Sequence, residues 1–256
     1  MNWMKSLSTA LGASLCALTA ACNGMSLSNM DIGTAMGAAA DLGKAATVTD
    51  AEVKSYAKQM RDHEEKSGVK IAGASSKYGK RLANLTSKYR EYDGMKLNYK
   101  VYVDEEVNAN ASADGSVRVY TGLMDLMNDD ELAFVIGHEI GHVKHGHTLK
   151  AMRTALASSG LRKAAASTGG AAGVLAGSEL GALAEAALNA RYSQGQETES
   201  DDYGLAFLRK SKRKLSGAES SLRKLAKLSG GEHSFLSSHP EPNARADRIA
   251  EEAKKK

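Results

Sequence analysis

Four of the seven histidines fall within ten positions: His138, His142, His145 and His147, in the run Val135-Ile136-Gly137-His138-Glu139-Ile140-Gly141-His142 and the five residues after it. On a helix, residues four apart share a face, so the imidazoles of His138 and His142 can bind one metal ion together. Glu139 stands beside the first of them, where its carboxylate reaches a water at the metal without binding the metal itself. This His-Glu-x-x-His spacing is the one used for zinc-assisted peptide hydrolysis, with the Glu as general base. Leu132, Phe134, Val135 and Ile136 precede the pair, which makes the helix apolar enough to hold a dry site.

A third ligand must come from elsewhere. The metzincin extension needs Gly three residues after the second His and a His six after it, and His145 and Thr148 stand there instead. The stretch Glu197-Thr198-Glu199-Ser200-Asp201 offers two Glu and one Asp. Glu197 and Asp201 lie one helical turn apart, so one can bind the metal while the other orients a ligand His from behind. Glu199 competes for the ligand role, and the four-residue spacing to Asp201 favours Glu197.

These side chains need a scaffold, and its elements are legible as patterns. Thr49-Asp50-Ala51-Glu52 has the form of a capping box opening a helix that runs to about Lys66. Tyr78, Leu82, Leu85 and Tyr89 recur at helical spacing between Ser76 and Arg90. Residues 96–103, KLNYKVYV, and 116–120, SVRVY, alternate like strands. Asp129-Asp130-Glu131 opens the histidine helix with acidic residues at its positive end. Further helices are expected at about 196–210, 217–228 and 243–256, and the uncharged Gly/Ala-rich segment 164–178 reads as a helical hairpin or a cover over the site. The sum is an α+β domain, mainly helical, with a small β-sheet beside the histidine helix.

The N-terminus reads as an address. Lys5 precedes an uncharged stretch to Ala21, too short for a permanent membrane span, and Leu18-Thr19-Ala20-Ala21-Cys22 resembles a bacterial lipobox in which Cys22 becomes the lipidated N-terminus. Residues 1–21 are then a signal peptide, 22–48 a tether with an r.m.s. reach of roughly 25–30 Å, and 49–256 the working domain. Asn23 after the Cys suits export to the outer membrane, by resemblance to Gram-negative lipoproteins. Both cysteines, Cys16 and Cys22, lie in this leader region, so the body has no disulfide framework. A net charge of only +4 and 5% aromatic residues give no footprint for nucleic acid.

Read in order, the motifs resemble the CAAX-prenyl-protease and HtpX-like zinc metallopeptidases of the gluzincin type, in particular their bacterial envelope lipoproteins. Asn108-Ala109 and Val119-Tyr120-Thr121-Gly122-Leu123 come first, then the His138–His142 motif and His147. Glu197 and Asp201 meet the family's Glu-x-x-x-Asp, and His239-Pro240 with Arg245 resembles its His-Pro…Arg motif. Asn110 replaces a usual aromatic and Ala113-Asp114 a common Pro-Gly; both lie beside the substrate edge and bear on cleavage preference. The resemblance implies Zn²⁺ on His138, His142 and Glu197, Glu139 as base, and Arg245 fixing a carboxylate such as Asp201. His239 is expected either to donate to the oxyanion or to occupy the open zinc position at rest. Asn108 is expected to line a cleft where an extended peptide pairs with the 116–120 strand edge. The implied substrates are unfolded or misassembled envelope proteins. The rival expectation is a non-catalytic envelope lipoprotein, a holdase or scaffold, against which the retained Glu139 speaks.

Overall fold

The computed structural model describes residues 48–158, 177–188, 190–228 and 235–255, all within one unit spanning Leu42–Lys256. Helix α1 (Asp50–Lys66) starts at the expected capping box: the Thr49 side chain accepts from the Glu52 amide, and the Glu52 carboxylate accepts from the Thr49 amide at 2.8 Å. It buries Val53, Tyr56, Ala57, Met60 and Arg61. Helix α2 (Lys77–Thr86) is capped by Ser76 and tightens into a 3-10 turn at Ser87–Tyr89, so the expected helix to Arg90 ends one turn early.

The expected strand 96–103 is divided. Met95–Lys96 (β2) pairs with Glu91–Tyr92 (β1) across a turn at Asp93 and Gly94, both with positive φ. Asn98–Tyr102 (β3) belongs to a second sheet with Ala109–Ala111 (β4) and Ser116–Tyr120 (β5), in the order β3-β5-β4. β5 runs parallel to β3 and antiparallel to β4. It is buried along its whole length. β4 is not legible in the sequence, because the three residues Ala-Asn-Ala carry no alternation.

After β5 the chain is helical: α3 (Thr121–Leu126), α4 (Asp129–Lys144), α5 (His147–Ser158), α6 (Gly177–Leu188), α7 (Gln194–Lys210), α8 (Ser216–Leu225), α9 (Phe235–Ser238) and α10 (Pro242–Lys254). Two apolar clusters hold the elements together. The larger gathers α2, the second sheet, α4, α7, α8 and α10, with Phe134, Ile136, Phe207, Leu222 and Ile249 among its buried residues. The smaller joins α1, α5 and α6 through Val53, Met60, Met152 and Leu183. Of the Gly/Ala-rich segment, residues 164–176 lie outside the described residues. No described helix is long and apolar enough to cross a membrane.

The contact that matters most for the site is α4 on α7. A Cβ on Gly137 would lie 2.7 Å from Phe207 Cβ, and one on Gly141 would lie 3.0 Å from Ser200 Cα. Gly204 reciprocates, its missing Cβ falling 3.0 Å from the Phe134 ring. Glycine on both helices therefore lets the two backbones approach closely, and α7 is brought against the histidine face of α4.

Candidate metal centre

Helix α4 begins at Asn128, whose side chain accepts from the Asp130 and Glu131 amides while the Glu131 carboxylate accepts from the Asn128 amide. From Glu131 to His142 every residue is buried. His138 and His142 project from one face with their Nε2 atoms 3.0 Å apart. Helix α7 starts at Ser193 with its own capping box to Gln196, which places Glu197 in the first turn. The Glu197 carboxylate lies 3.3 Å from His142 Nε2 and 3.7 Å from His138 Nε2. His239, on the turn after α9, brings Nδ1 to 3.0 Å from Glu197 Oε1 and 3.2 Å from His138 Nε2. One ligand atom from each of these four buried residues lies within 4.8 Å of the others.

A second layer orients the first. Asp201 Oδ1 lies 3.0 Å from His138 Nδ1. Arg245 donates to both oxygens of Asp201, Nε at 2.9 Å and Nη2 at 2.7 Å, and its Nη1 forms an ion pair with Glu197 Oε2. On the other side, His142 Nδ1 lies 3.1 Å from His147 Nδ1, and His147 Nε2 lies 2.9 Å from Glu199. Glu199, the competing ligand candidate, therefore faces His147, with its side chain 57% exposed, while Glu197 at 1% faces the cluster.

This donor set fits a divalent cation. With Asp201 behind one Nδ1 and His147 behind the other, both Nε2 atoms turn inward, and a carboxylate converges on the same point. Glu139 Oε1 is buried beside the cluster without a hydrogen-bond partner, 3.5 Å from His239 Nε2, which native proteins avoid unless the atom has a further task. Three to four N and O donors in a dry pocket match a zinc-type site.

The electrostatics agree. Burial holds His138 below its ordinary pKa and His142 well below, so both imidazoles are neutral and able to act as ligands at neutral pH. Burial opposes ionisation of Glu197, but His239, His142 and His138 together hold it below the usual carboxylate range. Burial pushes the Glu139 carboxyl up to about 7, reinforced by Glu197 and opposed by His239, Arg245 and the Ala111 backbone amide.

The aromatic contacts around the cluster are not legible in the sequence. Tyr192 lies over His142, ring centroids 3.8 Å apart, and Phe235 stacks on His239 at 4.1 Å. His147 was legible as a motif residue but not as the partner of His142. The signal lies in His145-Gly146-His147: Gly146 adopts φ +71°, ending α4 so that the first residue of α5 returns beside His142.

One expectation is corrected. β5 is the central strand, paired on both sides, so an extended peptide cannot add to it. The available edge is β4. The Asn108 carbonyl and Ser112 amide that flank it bond to β5, which turns the backbone of Ala109 and Ala111 away from β5 in the alternation of an antiparallel ladder, the Ala111 amide toward Glu139. Asn108 is buried, donates to Glu106 at 3.1 Å, and lines a cavity with Asn110, Ala111, Tyr192 and His239. Asn110, at the position of the usual aromatic, accepts from the buried Arg61 of α1.

Comparison with known proteins agrees with the geometry. Residues 77–253 match the model of peptidase family M48. Metalloprotease YcaL of Escherichia coli (strain K12) is 45% identical over 208 residues, covering 80% of this chain and 82% of that protein. Metalloprotease LoiP of the same organism is 43% identical over 223 residues, covering 86% and 88%. A beta-barrel assembly-enhancing protease of Yersinia pestis is 30% identical over 159 residues, 56% of this chain and 31% of that protein.

Proposed function

The chain belongs to peptidase family M48 and is a metallopeptidase, and from that premise we propose a zinc endopeptidase of the bacterial envelope that removes unfolded or misassembled envelope proteins. The observation that carries the chemistry is the convergence of His138, His142 and Glu197 with Glu139 alongside, all nearly fully buried. His138, His142 and Glu197 would hold Zn²⁺. Its contribution is Lewis acidity, which polarises a carbonyl and makes water nucleophilic at neutral pH.

The chain's own residues supply the rest. Glu139 takes the proton of the attacking water and passes it to the leaving amine, a task suited to a carboxyl raised to about 7. The β4 edge pairs with an extended segment, which folded proteins do not present; this favours unfolded substrates. Arg245 bridges Glu197 and Asp201 and so fixes both carboxylates, with Asp201 holding the His138 tautomer. Tyr192 and Phe235 keep water from the cluster.

For His239, the role at the metal position is favoured over the oxyanion role, because Nδ1 lies among the ligand atoms, 3.0 Å from Glu197 Oε1 and 3.2 Å from His138 Nε2. Lipidation at Cys22, export by residues 1–21, and a tether over 22–48 would hold the domain on the periplasmic side, at the outer membrane. The name of the Yersinia pestis relative, a beta-barrel assembly-enhancing protease, supports substrates among envelope proteins. The test is digestion of a purified outer-membrane β-barrel protein, unfolded and folded, by the zinc-loaded enzyme. Selective loss of the unfolded form is expected; digestion of neither would refute the substrate class.

A further inference from the structure

His138 and His142 are oriented by different chemistry. Behind His138 stands a carboxylate, Asp201, itself clamped by Arg245. Behind His142 stands another imidazole, His147, with Glu199 beyond it at the protein surface. A neutral imidazole carries a single N–H. For His142 to offer the lone pair of Nε2 to a metal, its proton must sit on Nδ1 and find an acceptor there. The partner at that position is His147 Nδ1, 3.1 Å away. His147 accepts at Nδ1 only if its own proton is on Nε2, and that proton then donates to Glu199 at 2.9 Å. Ser200 Oγ, 3.5 Å from His147 Nδ1, is the other polar neighbour of this nitrogen.

We propose that Glu199 and His147 form a two-step relay that sets the tautomer and orientation of His142, making His147 a positioning residue for metal binding. The relay runs from the buried cluster to a half-exposed carboxylate, so a surface group governs a buried ligand. Gly146 makes it possible by turning the chain between α4 and α5. The proposal rests on the zinc reading above and adds to it residues that never touch the metal.

The test is zinc affinity, measured on the metal-free full chain by competition with a chromogenic chelator, with melting temperature of the same metal-free samples alongside. His147→Leu removes the acceptor and should weaken zinc binding about 10–100-fold, the usual cost of losing an outer partner of a ligand His. His147→Asn keeps an acceptor oxygen near the place of Nδ1 and should recover most of that loss. Glu199→Gln, which still accepts through its amide oxygen, should bind zinc nearly as wild type. Glu199→Lys presents a donor, favours the wrong His147 tautomer, and should weaken binding even though the site is exposed and the fold undisturbed. A merely structural role would lower the melting temperature without producing this order. Wild-type affinity in both His147→Leu and Glu199→Lys would overturn the relay. Should His147→Leu fail to fold, wild-type affinity in Glu199→Lys alone would do so. A wild-type chain that takes up no zinc would instead overturn the zinc reading beneath it.

Discussion

Substituting Gly141 by Ala should loosen the site without touching any ligand. The added Cβ would lie 3.0 Å from Ser200 Cα, 3.0 Å from Tyr203 Cβ and 3.2 Å from the Ser200 carbonyl oxygen. Ordinary carbon contacts are about 3.5–4.0 Å, so α7 must retreat by roughly 0.5–1 Å. None of the three obstacles is the free end of a side chain, so the backbone itself has to move. Helix propensity favours the substitution by about 1 kcal/mol, and overpacking opposes it by about 1–3 kcal/mol. Fold stability should therefore change by no more than about 2 kcal/mol, or roughly 4–8 °C in Tm for a domain of this size. The metal site is less forgiving, since a functional constellation tolerates only about 0.5 Å, and Glu197 lies one turn from Ser200. Zinc affinity should fall about tenfold, the low end of outer-layer losses. Chelator competition and thermal melting on the same samples separate the two effects. A variant that melts higher than wild type and binds zinc equally well would refute the idea that the glycine contact sets the ligand spacing.

Glu197→Ala should reduce the zinc-to-protein ratio after identical purification far more than Glu199→Ala; the reverse order would move the ligand to Glu199. His239→Ala should raise kcat if the imidazole occupies the metal position at rest, and should lower it about 10²–10³-fold if it is an oxyanion donor. The contacts of Nδ1 predict the rise, and an unchanged rate would remove His239 from the mechanism. Cys22→Ala should abolish lipidation and shift the protein out of the membrane fraction; continued sedimentation with membranes after a high-salt wash would refute the anchor.

The histidine helix and α7 were readable in sequence because local signals and tertiary demands coincide there. Asp129-Asp130-Glu131 open α4 and the i, i+4 spacing alone puts His138 and His142 on one face, while the caps at Asn128 and at Ser193 with Gln196 are seen only in the structure. The pairing of Glu197 with Asp201 followed from the same helical arithmetic. What stayed hidden depends on residues distant in sequence. That β5 is central rather than an edge is decided by β4, a strand too short to show a period. Tyr192 over His142 and Phe235 on His239 are contacts between separate segments, invisible to any local pattern. The partner of Glu199 could not be guessed either, since it depends on the turn at Gly146 bringing His147 back toward α4.

The central claim is that Glu139 is the base of a metal-dependent peptidase, and one paired measurement tests it. Wild type and Glu139→Gln are loaded with zinc, assayed for metal content, and compared for digestion of unfolded casein. The ligand atoms are untouched by the substitution, so both should hold one zinc per chain. General-base catalysis contributes about 10²–10⁴-fold, and turnover of the variant should fall by that factor. Equal zinc with digestion at the wild-type rate would contradict the mechanism.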